Sequence, residues 1–157
     1  MTTVNADIDV DVPVSTAYNQ WTQFESFPQF LSGVDEVTQV NDTDTHWKVS
    51  IVGVKREFDA EITEQIPDTR IAWTSTGGES HAGVVTFHRL SADETRVSVR
   101  LDWEPEGVVE HVGAALQIDD MQISRDLRKF KELIESNGFE TGAWRGSIDR
   151  DGDATGR

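Results

Sequence analysis

The sequence of 157 residues contains no cysteine, few cations and no long apolar run. The absence of cysteine excludes disulfides, thiolate nucleophiles, iron–sulfur clusters and cysteine-based zinc sites. Fourteen lysines and arginines stand against 29 aspartates and glutamates, so the formal net charge is −15. A nucleic-acid-binding protein needs a basic face, and this balance therefore argues against nucleic acid as a partner. Because no stretch approaches the roughly 18 apolar residues of a membrane span, we expect no integral membrane association and a cytoplasmic location.

Several motifs of catalysis and cofactor binding are also missing. The chain has no GxGxxG between a strand and a helix, no GxxxxGK[ST] and no GxSxG, which disfavours nucleotide-dependent enzymes and serine hydrolases. Its four histidines are far apart, and none falls in an HxH or HExxH spacing. A metal site needs three or four converging ligands, so we expect neither a metal nor another cofactor.

The periodicity of apolar residues predicts a single α+β domain. Residues 4–12 alternate as a strand, and Pro13 ends it. A helix over residues 15–24, with Ser15 as its cap, and a short second helix at FPQFL, capped by Ser26, follow. Apolar and polar residues then alternate from residue 34 to 104, interrupted by five turn clusters, which predicts six antiparallel strands.

A helical period replaces the alternation at Pro105 and continues to Asn137. The apolar positions on one stripe are Val112, Leu116, Ile123, Leu127, Phe130 and Ile134. We therefore expect one long C-terminal helix that crosses the whole sheet. Residues 139–157 have no period and are rich in glycine and charge, which predicts a flexible tail after a domain of residues 1–138.

The order of strand, two short helices, six strands and one long helix resembles the helix-grip fold. START lipid-transfer domains, the birch-pollen allergen family and the polyketide cyclase/dehydrase family share this fold. VPVSTAYNQWTQFESFPQFLSGVDEV, EFDAEITEQIPDTRIAWTST and GVVTFHRL resemble segments of polyketide cyclase/dehydrase and coenzyme Q-binding-type members. TGAWRG near the end is similar to the tails of actinobacterial proteins of that kind. The resemblance implies a curved seven-stranded antiparallel sheet wrapped around the C-terminal helix.

Such a sheet and helix cannot meet everywhere, so we expect a cavity between them for an apolar ligand. The candidate ligand-binding residues come from the inward strand positions, the helix stripe and the short second helix. The short second helix could form a lid. The candidates are Phe27, Phe30, Leu31, Arg56, Phe58, Trp73, His81, Val85, Phe87, Leu101, Trp103, Val112, Leu116 and Asp119. Trp73 and Trp103 could stack on a planar ligand, although core packing explains them equally well.

Two cavity candidates, Arg56 and His81, could also carry chemistry. Arg56 shares a strand face with Phe58, so its guanidinium could orient a ligand carbonyl, phenol or carboxylate; alternatively it extends to water and pairs with an aspartate. His81 could act as an acid or base near neutral pH, or be a hairpin-end residue without chemistry. Asp119 could pair with Arg56 or lie on the helix surface. Tyr18 is a further nominee for acid–base catalysis.

Three functions fit these observations. The first is a carrier or sensor that binds a lipid, a quinone or a polyketide-like aromatic molecule. The second is a polyketide cyclase, aromatase or dehydrase that promotes aldol condensation and dehydration, which needs a positioned acid or base and an oxyanion donor. The third is a protein-interaction module of the co-chaperone activator type. We expect a monomer or a homodimer with a hydrophobic small molecule as its partner.

Overall fold

The computed structural model describes residues 2–51, 54–78, 80–104, 120–137 and Gly142. Val112, Leu116, Asp119 and nearly all of the predicted tail lie outside this range, as do the first part of the predicted long helix and the side chain of Trp103. The flexible tail therefore stays a prediction.

Seven strands form one antiparallel sheet in the order β1-β7-β6-β5-β4-β3-β2. The strands are β1 (Thr2–Val10), β2 (Val34–Gln39), β3 (Asp44–Ile51), β4 (Val54–Ile66), β5 (Arg70–Gly78), β6 (Ser80–Ser91) and β7 (Glu94–Glu104). Each strand from β2 to β6 pairs with the next strand in the chain, and β1 lies beside β7 at the other edge of the sheet. The curled sheet with a C-terminal helix confirms the predicted fold class.

Alternation along the strands buries one face of the sheet. On β4, Phe58, Ala60 and Ile62 are buried, as predicted, and the residues between them face outward. The alternation of buried and outward-facing residues then shifts by one position, because a bulge between Ile62 and Glu64 lets two residues of β4 oppose one residue of β5. Gln65 is therefore buried although it lies three residues after Ile62.

The two short helices differ in detail from the prediction. Helix α1 spans Val14–Trp21, and Pro13 precedes it in an extended conformation without a side-chain cap, so the prediction of Ser15 as the cap is wrong. The second element is a 3₁₀ helix over Phe24–Gln29. Ser26 lies inside it and donates its hydroxyl to the Gln23 carbonyl at 2.6 Å, so it does not cap the helix start.

Helix α2 spans Asp120–Asn137 in the described part of the chain. Its stripe of Ile123, Leu127, Phe130 and Ile134 is buried in the same core as the sheet, as the helical spacing predicted. Phe130 contacts the ring of Trp21 in α1 at 5.3 Å and the ring of Phe30, the residue after the 3₁₀ helix, at 5.2 Å between centroids. The helices and the sheet therefore share one aromatic-rich core.

Side chains of the helices also bond the backbone at both edges of the sheet. At the β1 edge, the Lys131 ammonium donates to the Asp9 carbonyl at 3.0 Å, and Glu135 accepts the Asp11 N–H at 2.7 Å. At the β2 edge, Glu25 of the 3₁₀ helix accepts the Gln39 N–H at 3.0 Å.

Candidate functional site

A narrow cavity lies between the inner face of the sheet and the N-terminal half of α2. The space in it amounts to about 50 Å³. Its wall is almost wholly apolar and comes from the 30–33 segment, from strands β2 to β7 and from α2. The lining residues are Leu31, Gly33, Val34, Trp47, Val49, Phe58, Trp73, His81, Leu101, Gln122, Ile123 and Asp126.

Stacked aromatic rings form one side of the cavity. Trp47 of β3 lies opposite Phe58 of β4 in the strand register, and their rings stack with centroids 5.4 Å apart and planes 17° apart. Trp47 also stacks on Trp73 of β5, at 5.6 Å and 25°. The Trp47 N–H donates to the Thr45 hydroxyl at 2.8 Å, which fixes the indole in this orientation. Three neighbouring strands thus line one side of the cavity with aromatic rings.

His81 is buried among these rings. The Trp73 indole N–H donates to its Nε2 at 3.1 Å, so the neutral imidazole carries its proton on Nδ1. Burial lowers the pKa of His81 to about 4, although the charge and the backbone of Asp102 oppose that shift. The side chain is therefore neutral near pH 7, and its Nε2 is engaged inside the protein. His81 is the second residue of β6, so it also lies at the end of a hairpin, as the alternative interpretation had it.

Asp126 brings a carboxyl group to the opposite side of the cavity. The Ser32 N–H donates to its Oδ2 at 3.2 Å, and the Gln122 amide donates to the Ser32 hydroxyl at 3.0 Å. Burial raises the pKa of Asp126, and the hydrogen bonds from Ser32 and the charges of Lys129 and Arg125 act against that rise. Two residues of α2 thus hold the segment between the 3₁₀ helix and β2 at the cavity.

Comparison with known proteins places this fold and cavity in a family. The family described as polyketide cyclase/dehydrase and lipid transport matches residues 10–132. The chain belongs to this family. An uncharacterized 17.2 kDa protein from the melC2–rnhH intergenic region of Streptomyces lincolnensis is 57% identical over 149 residues, which cover 94% of this chain and 99% of that protein. The predicted family and the similarity to actinobacterial proteins are thereby confirmed.

Two solved structures illustrate the range of proteins that share the family's fold. A START superfamily protein from Mycobacterium smegmatis has a TM-score of 0.70 at 17% identity, with 86% of this chain and 98% of that chain covered. The Zhui aromatase/cyclase from Streptomyces sp. R1128 has a TM-score of 0.58 at 12% identity, with 87% and 86% covered. At these identities the similarity concerns the fold alone.

Five of the predicted site residues line the cavity: Leu31, Phe58, Trp73, His81 and Leu101. A second subset is buried in the core outside the lining set: Phe27, Phe30, Val85 and Phe87. Arg56 is half-buried opposite Val49, a cavity residue, but does not belong to the described wall. Tyr18 packs edge-on against Phe87 at 5.4 Å, in the core. Trp103, Val112, Leu116 and Asp119 fall outside the described side chains.

Seven cavity residues were not among the candidates named from the sequence: Gly33, Val34, Trp47, Val49, Gln122, Ile123 and Asp126. Trp47 alternates with Thr45 and Val49, and all three are buried, so period two was the available signal. Asp126 lies three residues after Ile123 and four before Phe130, which puts it on the buried stripe of α2. Asp119 has the same spacing to Leu116 and Ile123, so this signal applied equally to both residues.

Two further observations concern the described residues alone. Within these ranges, no three histidine, aspartate or glutamate side chains come together to hold a metal ion. No helix of the described chain is both long enough and apolar enough to cross a bilayer.

Proposed function

We propose that this family member binds a hydrophobic small molecule in the cavity, such as a lipid, a quinone or a polyketide-like aromatic compound. The observation that carries the proposal is the stack of Trp47, Phe58 and Trp73, which forms an apolar aromatic wall of the cavity inside the protein. A planar or aliphatic ligand gains from leaving water for such a surface. Binding of this kind needs no cofactor, and one ligand per chain is expected because the cavity lies within one chain.

The ligand has to enlarge the cavity when it enters. About 50 Å³ holds only a few water molecules, whereas sites for drug-sized ligands measure roughly 300 Å³ or more. The 30–33 segment is the part of the wall that lies between elements, so it is the part that moves most easily. Because Ser32 is bonded to Gln122 and Asp126, we expect entry to break these two contacts or to move α2 with the segment.

A fluorescence titration tests the proposal. N-phenyl-1-naphthylamine is neutral and apolar, and its emission rises when it leaves water. We expect saturable binding of one molecule per chain. Val49→Phe fills the cavity and should abolish binding, whereas Val40→Phe makes the same change at an exposed position and should leave binding intact. Equal binding by the folded Val49→Phe protein, or no saturable binding by the wild type, would refute the proposal.

A cyclase is the second candidate, and Asp126 is the observation in its favour, because it brings to the cavity a carboxyl group whose pKa is raised by burial, and such a group can exchange a proton with a ligand. His81 supports the enzyme less well, since its Nε2 already accepts the Trp73 N–H. Turnover of a poly-β-ketone thioester by the wild type, and its loss in Asp126→Asn, would establish the enzyme. No feature of the described residues bears on the protein-interaction alternative, which stays a prediction.

A further inference from the structure

Both indole hydrogen-bond donors in the described cavity wall are engaged within the protein. The Trp47 N–H donates to Thr45, and the Trp73 N–H donates to His81. The Gln122 amide donates to the Ser32 hydroxyl. A ligand acceptor that pairs with either indole N–H would have to break a buried bond to do so.

Asp126 supplies the opposite capacity. Its side chain lines the cavity, the residue is only 4% exposed, and its hydrogen bonds to described residues come from Ser32. A carboxylate offers about four acceptor positions, so Asp126 can accept a further hydrogen bond from a ligand. A ligand hydroxyl that reaches it would form a charge-assisted hydrogen bond away from water, the stronger class of such bonds.

The charges around the cavity oppose an anionic ligand. The described wall contains no lysine or arginine. His81, the titratable group on the sheet side, is neutral near pH 7. Arg125 and Lys129 flank Asp126 on its own helix, but both are exposed to solvent. A ligand carboxylate would therefore be buried without a counter-charge and beside another carboxyl group, which is unfavourable.

We infer that Asp126 determines specificity: the cavity selects neutral apolar ligands that carry a hydroxyl or a similar donor, and it discriminates against ligands with a carboxylate. This inference rests on the proposed function, because it assumes that the cavity binds a ligand. It excludes free fatty acids as preferred ligands and favours alcohols, phenols and hydroxylated polycyclic compounds.

Three naphthalenes of similar size test the selection, with the full-length chain at pH 7.5 and calorimetric titration. 2-Naphthol carries a donor, 2-methoxynaphthalene carries none, and 2-naphthoate carries a negative charge. We expect 2-naphthol to bind about 10-fold more tightly than the methoxy compound. We expect 2-naphthoate to bind more weakly than both.

A variant then assigns the selection to Asp126. Asp126→Asn keeps the shape and removes the charge, so it should bind 2-naphthoate about 10-fold more tightly than the wild type does and lose much of the preference for 2-naphthol. Glu132→Gln removes a charge from an exposed position of the same helix and should change neither affinity. The wild-type comparison decides the selectivity even if Asp126→Asn does not fold.

The outcomes separate this inference from the proposed function. If 2-naphthoate binds the wild type as tightly as 2-naphthol, the inference is wrong and ligand binding stands. If a folded Asp126→Asn protein keeps the wild-type order of affinities, Asp126 is not the determinant. If none of the three probes nor N-phenyl-1-naphthylamine binds, the proposed function fails and the inference fails with it.

Discussion

Gly83 of β6 lies opposite Trp73 of β5, and the Trp73 indole occupies the place that a β-carbon on Gly83 would need. The ring can lie across β6 only because residue 83 has no side chain. In that position its N–H reaches His81, two residues earlier on the same strand. The backbone at Gly83, the buried hydrogen bond and the aromatic wall of the cavity therefore depend on one another.

The first prediction follows from this close approach. Gly83→Ala forces the Trp73 indole to move, which should break its bond to His81 and lower the free energy of unfolding by about 1–3 kcal/mol. Gly77→Ala is the matched control, because a β-carbon at Gly77 meets its nearest atom, on Asp59, at an ordinary 3.9 Å. Denaturant unfolding measures both variants. Equal stability of the two would show that the indole is not constrained by Gly83.

The second prediction concerns acid sensitivity. The folded-state pKa of His81, about 4, lies below the ordinary value of 6.5 that we take for the unfolded chain. The unfolded state therefore binds more protons between these values, and stability falls as the pH is lowered from about 6.5 to 4. This shift is worth about 3 kcal/mol over that window.

His81→Gln checks the assignment, because glutamine does not titrate. Urea unfolding of both proteins at pH 7 and at pH 4 gives the loss of stability on acidification. The wild type should lose about 3 kcal/mol more than the variant. A loss of the same size in the two proteins would mean that His81 is accessible to protons in the folded state.

The third prediction concerns a contribution to stability that is lost as the pH rises, and it involves the outer face of the sheet. His46 contacts Asp59 through Nδ1 at 2.7 Å and Glu57 through Nε2 at 2.9 Å. The hydrogen bonds to these carboxylates, with Asp59 first, raise the pKa of His46 above its ordinary value. The folded state therefore binds more protons, and the stabilisation is complete below about pH 6.5 and disappears as the pH rises through the folded-state pKa.

Unfolding of His46→Gln should accordingly differ most from the wild type at pH 6 and least at pH 9. His88→Gln, at an exposed position of β6, is the control variant for the replacement of a histidine by glutamine on the sheet. A wild-type advantage that grows toward pH 9 would contradict the proposed pairing of His46 with the two carboxylates.

The sequence was sufficient for features that depend on periodicity. Alternation identified the buried face of β4, and the helical stripe identified Ile123, Leu127, Phe130 and Ile134. Alternation could not reveal that Gln65 turns inward, because the bulge that moves it arises from pairing with β5. The spacing of residues along one strand does not indicate where its pairing with the neighbouring strand changes register.

The candidate site was predicted less completely, for a related reason. Phe58, Trp73 and His81 lie on inward strand positions that alternation marks, and they do line the cavity. Arg56 lies on the same strand face as Phe58 but outside the described wall, because a cavity occupies only part of the face that a strand buries. Which part it occupies depends on how the helix lies against the sheet, which periodicity does not specify.

The side chains that bond the edge strands have a consequence for the behaviour of the protein at high concentration. An open sheet ends in two rows of backbone groups, and a strand from another molecule can pair with them. Here Lys131 and Glu135 engage that backbone at the β1 edge, and Glu25 engages it at the β2 edge. A second molecule would have to displace a charged side chain at either edge before it could add a strand. The same contacts that hold the helices in place therefore protect the sheet against edge-to-edge aggregation.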